Sequence, residues 1–384
     1  MRDILFLAHR VPFPPDRGDK IRSFHVLKHL AARSRVHLVA FADTSADRDP
    51  APEFRRLLSS CTIVPRTRSR GRALVEALAT SRPVSLTAFA DPRIAAAVKR
   101  HEGMATYVFS GQMAQYVEAP TVMDFVDVDS AKFAAFADTG LGAMRWLMRR
   151  EARLLGRFEQ GVAARAGTSV LVSTAEASLF GGPRTLAVEN GIDTEHFDPA
   201  AAFDRLGRGE GPLLVFTGQM DYRPNIDAVV AFTRESLPMI RRRYPSARFT
   251  IVGRAPTATV RALAAHQGVV VTGEVADVRP WLAAADVCVA PLSLARGVQN
   301  KVLEAMAMAR PVVASLAAAE GIDHADTIRV ARDGATAVVG LLADPAAART
   351  MGDRARAQVI RRYAWDARLA PLDTLLGLGR AEAA

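Results

Sequence analysis

Short apolar runs alternate with helical stretches along this chain, in two successive series. The first reads ILFLAH, VHLVAFA, CTIVP, TYVFS, TVMDFV and SVLVS; the second reads LLVFTG, RFTIVG, VVVTG, VCVAPL and PVVAS. Runs this short and this apolar suit strands buried on both faces, and the helical stretches between them supply the crossovers that parallel pairing requires. The pattern predicts an α/β chain of two doubly wound domains, whose ligands bind at the carboxyl ends of strands. A chain of 384 residues, 49% of them apolar, is long enough to build both cores.

Residues 291 to 315, PLSLARGVQNKVLEAMAMARPVVAS, carry the strongest functional signal. A Gly-containing loop leads directly into a helix with an internal carboxylate, and a buried strand follows. A helix beginning near Gln299 leaves its first backbone N–H groups unpaired at the loop, where its dipole favours an anion such as phosphate. Lys301 lies in that first turn. It is the only lysine after Lys132, in a chain with 5 lysines and 45 arginines, so a compact cation is selected here where arginine serves elsewhere.

The same segment resembles the donor site of the family 4 retaining glycosyltransferases, which have the GT-B architecture of two facing Rossmann-like domains with an interdomain cleft. In that family a Glu, seven residues and a second Glu belong to a motif continuing through LEAMA and PVV. Leu303, Glu304, Ala305, Met306 and Ala307, then Pro311, Val312 and Val313, match its second half, whereas Arg296 occupies the position of the first Glu. The resemblance assigns the donor ribose to Glu304, and in the family the first Glu reaches toward the transferred hexose; the loop and helix start, with Gly297, Gln299, Asn300 and Lys301, read as the site for the donor phosphates, with Arg296 a further cation there. The segment VENGIDTEHFDP resembles the family's interdomain connection. The implied division is an acceptor-side domain over 1–182, a donor domain over 183–365 and a helical tail over 366–384 that crosses back to the first domain.

Further positions follow from the same resemblance. Gly18, after the first strand and before a helix, is placed against the donor pyrophosphate, with Arg17 and Lys20 as neighbouring charges; read alone, a lone glycine signals a turn. Gly218 ends another strand, but Gln219 stands where the family commonly has an Arg. Arg223 is then the nearest cation, expected to act with Lys301 and Arg296, and Arg254 follows a further strand end at Gly253. Asn225 reads as a helix N-cap and Asp227 as a first-turn carboxylate. Val275 falls where the family meets the nucleobase. Asp127 is the nearest match to a sugar-contacting His, and is equally consistent with a helix cap. Asp127 and Asp129 spell DxD, but a metal role is rejected, because helix termini and cations already meet the phosphate charge.

Composition narrows the remaining classes. The net charge of +10 is uneven: Met1 to Gly182 holds 26 basic and 18 acidic residues, a balance of +8. Anionic lipid or a pyrophosphate-bearing acceptor fits such a half, whereas a nucleic-acid partner lacks stacking aromatics or a recognition motif. Arg145, Arg149, Arg153 and Arg157 recur at spacing four on one helical stretch, either as a solvated basic face or as a membrane-surface helix. No apolar run approaches a spanning helix, and ILFLA is too short for a signal-peptide core, so a cytoplasmic protein is expected, peripheral at most on the inner membrane face. Cys61 and Cys288 suit neither a disulfide framework nor a metal cluster.

The combination GQMDYRPN, VTGEVADVRPWLAAADVCVAPL and ARGVQNKVLEAMA also resembles a narrower group, the sugar transferases associated with the PEP-CTERM and exosortase exopolysaccharide system. It implies retaining transfer from a nucleotide-diphosphate sugar to a saccharide or polyprenyl-linked acceptor, without a cofactor. An epimerase of the same architecture and a non-catalytic nucleotide-sugar sensor are the alternatives, separated from a transferase by donor turnover with and without acceptor.

Overall fold

The computed structural model describes residues 1–139, 141–207, 209–295 and 298–379. Its strands are β1 (Asp3–Ala8), β2 (Arg35–Ala42), β3 (Ser60–Pro65), β4 (Ala105–Phe109), β5 (Val122–Val126), β6 (Thr168–Leu171), β7 (Thr185–Ala187), β8 (Leu213–Thr217), β9 (Arg248–Val252), β10 (Val269–Gly273), β11 (Val287–Ala290), β12 (Val312–Ala314) and β13 (Arg329–Val330). They form two wholly parallel sheets, ordered β3-β2-β1-β4-β5-β6-β7 and β10-β9-β8-β11-β12-β13. Each sheet winds outward, then reverses past its first strand. The reversal lies between β1 and β4 in one sheet and between β8 and β11 in the other, and it parts the loops there into the crevice where doubly wound sheets bind ligands.

All eleven predicted strands form. The sheets hold two more, β7 and β13, of three and two residues. Two compact units result: Met1–Asn190 with the segment that begins at Arg368, and Gly191–Ala367. The first sheet thus continues past the expected division at 182, because β7 pairs with β6. The returning segment is tied to the first unit by Arg2, which donates to the Leu376 carbonyl at 2.8 Å, and by His29, 2.9 Å from Asp373.

Burial on both sheet faces accounts for the composition of the strands. Leu5, Leu7, Val39, Phe41, Val108 and Met123 meet in the first core, and Leu214, Phe216, Phe249, Ile251, Val289 and Met306 in the second. Within the second unit, Ile192 donates to the Tyr363 carbonyl at 2.7 Å. Gly191 is required by this closure: a Cβ there would fall 2.6 Å from the Trp365 Cα.

Candidate functional site

A cavity of about 470 Å³ opens in the second unit at the carboxyl ends of β8, β9 and β10 and at the start of helix Asn300–Ala307. The strand-end loops are knitted by backbone bonds: Gly218 donates to Val252, Met220 to Arg254 and Gly253 to Gly273. Gly253, at φ +153°, allows the closest approach, since a Cβ there would fall 1.6 Å from the Gly218 carbonyl oxygen. Any side chain at 253 would push these loops apart.

Lys301 is the centre of the cavity's electrostatics. Its Nζ donates to Asn225 Oδ1 at 2.5 Å and lies 4.5 Å from the centroid of the Phe216 ring. Asn225 Nδ2 donates to the Gln219 carbonyl at 2.9 Å, and Arg254 Nη2 donates to Gln219 Oε1 at 3.0 Å. One hydrogen-bonded chain therefore joins the two cations, Lys301 and Arg254. Gln299 is the N-cap of the helix and makes no side-chain capping bond to it, and Gln299, Asn300 and Lys301 line the cavity.

Glu304 sits one turn after Lys301, on the same helix face. Burial pushes its carboxyl up to about 7 against the pull of Lys301, and burial pushes the Lys301 ammonium down to about 8 against the pull of Glu304. Neither group forms an ion pair with a described residue within hydrogen-bonding distance. Both line the cavity. A half-buried carboxylate and a half-buried ammonium, each penalised by desolvation, are preorganised for a ligand that brings hydroxyls to one and negative charge to the other.

The cavity gathers Gly218, Arg254, Val275, Gln299, Asn300, Lys301 and Glu304 of the sequence-predicted residues, and adds Gln219, Tyr222, Asn225 and Glu274. Arg223 stands apart: its Nε donates to both Asp227 carboxylate oxygens at 2.8 and 2.9 Å, and its exposed side chain does not line the cavity. The expected cap at Asn225 is also displaced. Helix Arg223–Ala231 is N-capped by Tyr222, which leaves Asn225 in the first turn, 5% exposed, with its amide spent on Gln219 and Lys301. Arg296 and Gly297 lie outside the described residues.

Gly18 and Asp127 belong to the first unit. Gly18 opens helix Gly18–Ala31 with open space where a Cβ would stand. Around it, Arg10 and Arg17 both reach Asp19 and Asp43, while Lys20 is buried against Asp47 at 3.2 Å. Burial raises the Asp19 carboxyl, but the His9 hydrogen bond and the charge of Arg10 outweigh it and hold Asp19 at about 2. Asp127, just past β5, is half-exposed, 3.5 Å from Lys132.

Sequence reasoning missed the buried charge beside it. Arg22, 1% exposed, donates Nε to Asp124 at 3.0 Å and Nη1 to the Val188 carbonyl and Asn190 Oδ1, and Tyr107 donates to Asp124 at 2.5 Å. Asp124 was legible as a charge inside an apolar strand, a pattern that demands a partner. Among the described residues, no group of three or more His, Cys, Asp or Glu is arranged to hold a metal ion.

Residues 211–350, which contain most of the cavity's lining, match the family model for glycosyl transferases group 1. The chain is similar to a phosphatidyl-myo-inositol mannosyltransferase of Propionibacterium freudenreichii, at 27% identity over 46% of this chain and 43% of the relative. It is also similar to a GDP-mannose-dependent alpha-(1-6)-phosphatidylinositol monomannoside mannosyltransferase of Mycolicibacterium smegmatis, at 33% identity over 54% of this chain and 60% of the relative. The chain thus spans about half the length of the curated relatives it matches. Among solved structures, Anabaena Alr3699/HepE in complex with UDP and glucose superposes with a TM-score of 0.60 at 16% identity, covering 98% of this chain and 100% of that one. The fold is the GT-B type, with two Rossmann-like domains, and it is the second of them that carries the match to glycosyl transferases group 1.

Proposed function

We propose that this chain transfers a glycosyl group, with retention, from a nucleotide-diphosphate sugar. The observation that carries the reading is the juxtaposition of Lys301 and Glu304 in the first turns of helix Asn300–Ala307, lining a cavity at the switch point of the second sheet. Glu304 accepts the ribose hydroxyls, and Val275 and Glu274 border the nucleobase. The helix amides, Lys301 and Arg254 meet the diphosphate. Arg254 takes the place proposed from sequence for Arg223, because the Gln219 hydrogen bond turns it to the cavity while Asp227 holds Arg223 away.

Chemically, the bond between the sugar anomeric carbon and the diphosphate oxygen breaks as the acceptor oxygen attacks from the same face. The acceptor proton passes to the departing phosphate oxygen, so no protein nucleophile is required. Positive charge preorganised where the leaving group gains negative charge is the main lever on the barrier. Cationic side chains then do the work a divalent ion would do, and transfer is expected to persist in excess chelator. Asp127, at the carboxyl end of β5, is the proposed sugar-orienting carboxylate of the first domain.

The acceptor is proposed to be a lipid-linked or free saccharide in exopolysaccharide assembly at the inner membrane face, of the PEP-CTERM-associated kind. The relatives' names make GDP-mannose and phosphatidylinositol-type lipids the first donor and acceptor to try. Among the described residues no helix is long and apolar enough to cross a membrane. The test is donor turnover across a panel of UDP- and GDP-sugars with and without phosphatidylinositol or polyprenyl-linked saccharide. Acceptor-dependent release of nucleoside diphosphate supports transfer, and acceptor-independent interconversion of sugars identifies an epimerase instead.

A further inference from the structure

In the first unit, helices Asp129–Thr139 and Gly142–Arg165 lie side by side, and the second is 24 residues long. Its first turns project bare: residues 141 to 146 are all exposed, including Leu141 at 84%, Met144 at 58% and Trp146 at 58%. Phe136, near the end of the neighbouring helix, is 53% exposed. Large apolar groups gathered at a tip leave water only if something apolar receives them.

The charge along the second helix behind this tip is predominantly positive. Arg145, Arg149, Arg153 and Arg157 recur at spacing four from beside Trp146 along the helix, and none of their guanidinium groups forms an ion pair or hydrogen bond with a described residue. By contrast, the neighbouring Arg150 is consumed within the fold, donating to the Ala77 and Arg82 carbonyls. Arg149, Arg153 and Arg157 border a cavity of about 590 Å³ that also takes in Asp138 and Glu159, neither of them paired to these arginines. An indole at the head of an unpaired arginine stripe is the arrangement that lies at a lipid interface, ring at headgroup depth and guanidinium groups among phosphates.

We infer that the Leu141–Trp146 tip and the arginine stripe behind it form a docking surface for an anionic lipid bilayer. Charge complementarity selects that occupant, because the stripe carries four cations with no carboxylate paired to them, and the tip supplies the apolar insertion that electrostatics alone lacks. The surface lies on the first unit and stands independently of the nucleotide-binding reading, whose residues are on the second.

The experiment is vesicle sedimentation of the full chain at low ionic strength, using phosphatidylglycerol–phosphatidylcholine mixtures and pure phosphatidylcholine. The chain is expected to sediment with the anionic vesicles alone and to be released by salt. Both M144S/W146S and R145E/R149E/R153E are expected to lower partitioning at least about tenfold, with melting temperature and nucleotide affinity unchanged. Trp146 quenching by brominated lipid, absent in W146F, reports insertion. Failure of the chain to sediment, or sedimentation of both variants like the parent, overturns the proposal. So does concentration-dependent self-association abolished by M144S/W146S without vesicle binding, which would make a second copy the occupant.

Discussion

The Lys301 ammonium donates to Asn225 Oδ1 at 2.5 Å, and the amide of the same Asn225 holds the Gln219 carbonyl at 2.9 Å. A single side chain thereby fixes the cation of helix Asn300–Ala307 to the loop after β8. Asn225→Leu removes both bonds and frees Lys301, so nucleotide-diphosphate affinity is expected to fall about tenfold, the worth of one hydrogen bond to a charged group. Calorimetry checks it, with the melting temperature as the control for folding.

The pH dependence of donor binding follows from the pair on the helix. Burial leaves Glu304 near 7 and Lys301 near 8. Below about 7 the carboxyl gains a proton and no longer accepts ribose hydroxyls; above about 8 the ammonium loses the charge that meets the diphosphate. Affinity is therefore expected to be bell-shaped, highest between these values, with both limbs belonging to the coupled pair. Glu304→Gln should flatten the acid limb and move the alkaline one to lower pH, because Lys301 loses the charge that holds its ammonium up.

The two arginines after the strand ends should differ sharply. Arg254 borders the cavity through Gln219, whereas Arg223 is committed to Asp227. Arg254→Ala is expected to lower kcat/KM about a hundredfold, the scale of one lost transition-state charge contact. Arg223→Ala should leave it within about twofold, a surface i,i+4 pair being worth little. Steady-state kinetics on both variants separates the assignments.

Stability should rest heavily on the buried Arg22–Asp124 pair. Asp124→Ala leaves a guanidinium 1% exposed without its counter-charge and takes the acceptor from the Tyr107 hydroxyl. A loss of about 3–5 kcal/mol is expected in urea unfolding, because an uncompensated buried charge costs more than the pair gained.

Much of the fold was legible because its strands are buried on both faces and read as continuous apolar runs. TLA at 185–187 and RV at 329–330 were not, since two or three residues carry no pattern. In the site, Lys301 and Glu304 were visible because their helix motif is contiguous. Side-chain direction was not visible: Arg223 has the right charge near the right loop, yet Asp227 four residues on was the signal that it pairs along its own helix. Asn225 carried a cap's residue type, and only the packing of helix Asn300–Ala307 beside it shows that its amide serves a lysine 76 positions away. Arg22 meets Asp124 across 102 positions, a juxtaposition that strand order creates and local sequence does not announce.

The most direct test of the donor site is titration of the chain with UDP and GDP by calorimetry, beside Lys301→Ala and Glu304→Ala. The account predicts that at least one of the two nucleotides binds the parent chain and that each substitution weakens it at least about tenfold, with folding intact. Binding unaltered by both substitutions, or no binding of either nucleotide to the parent, would contradict it.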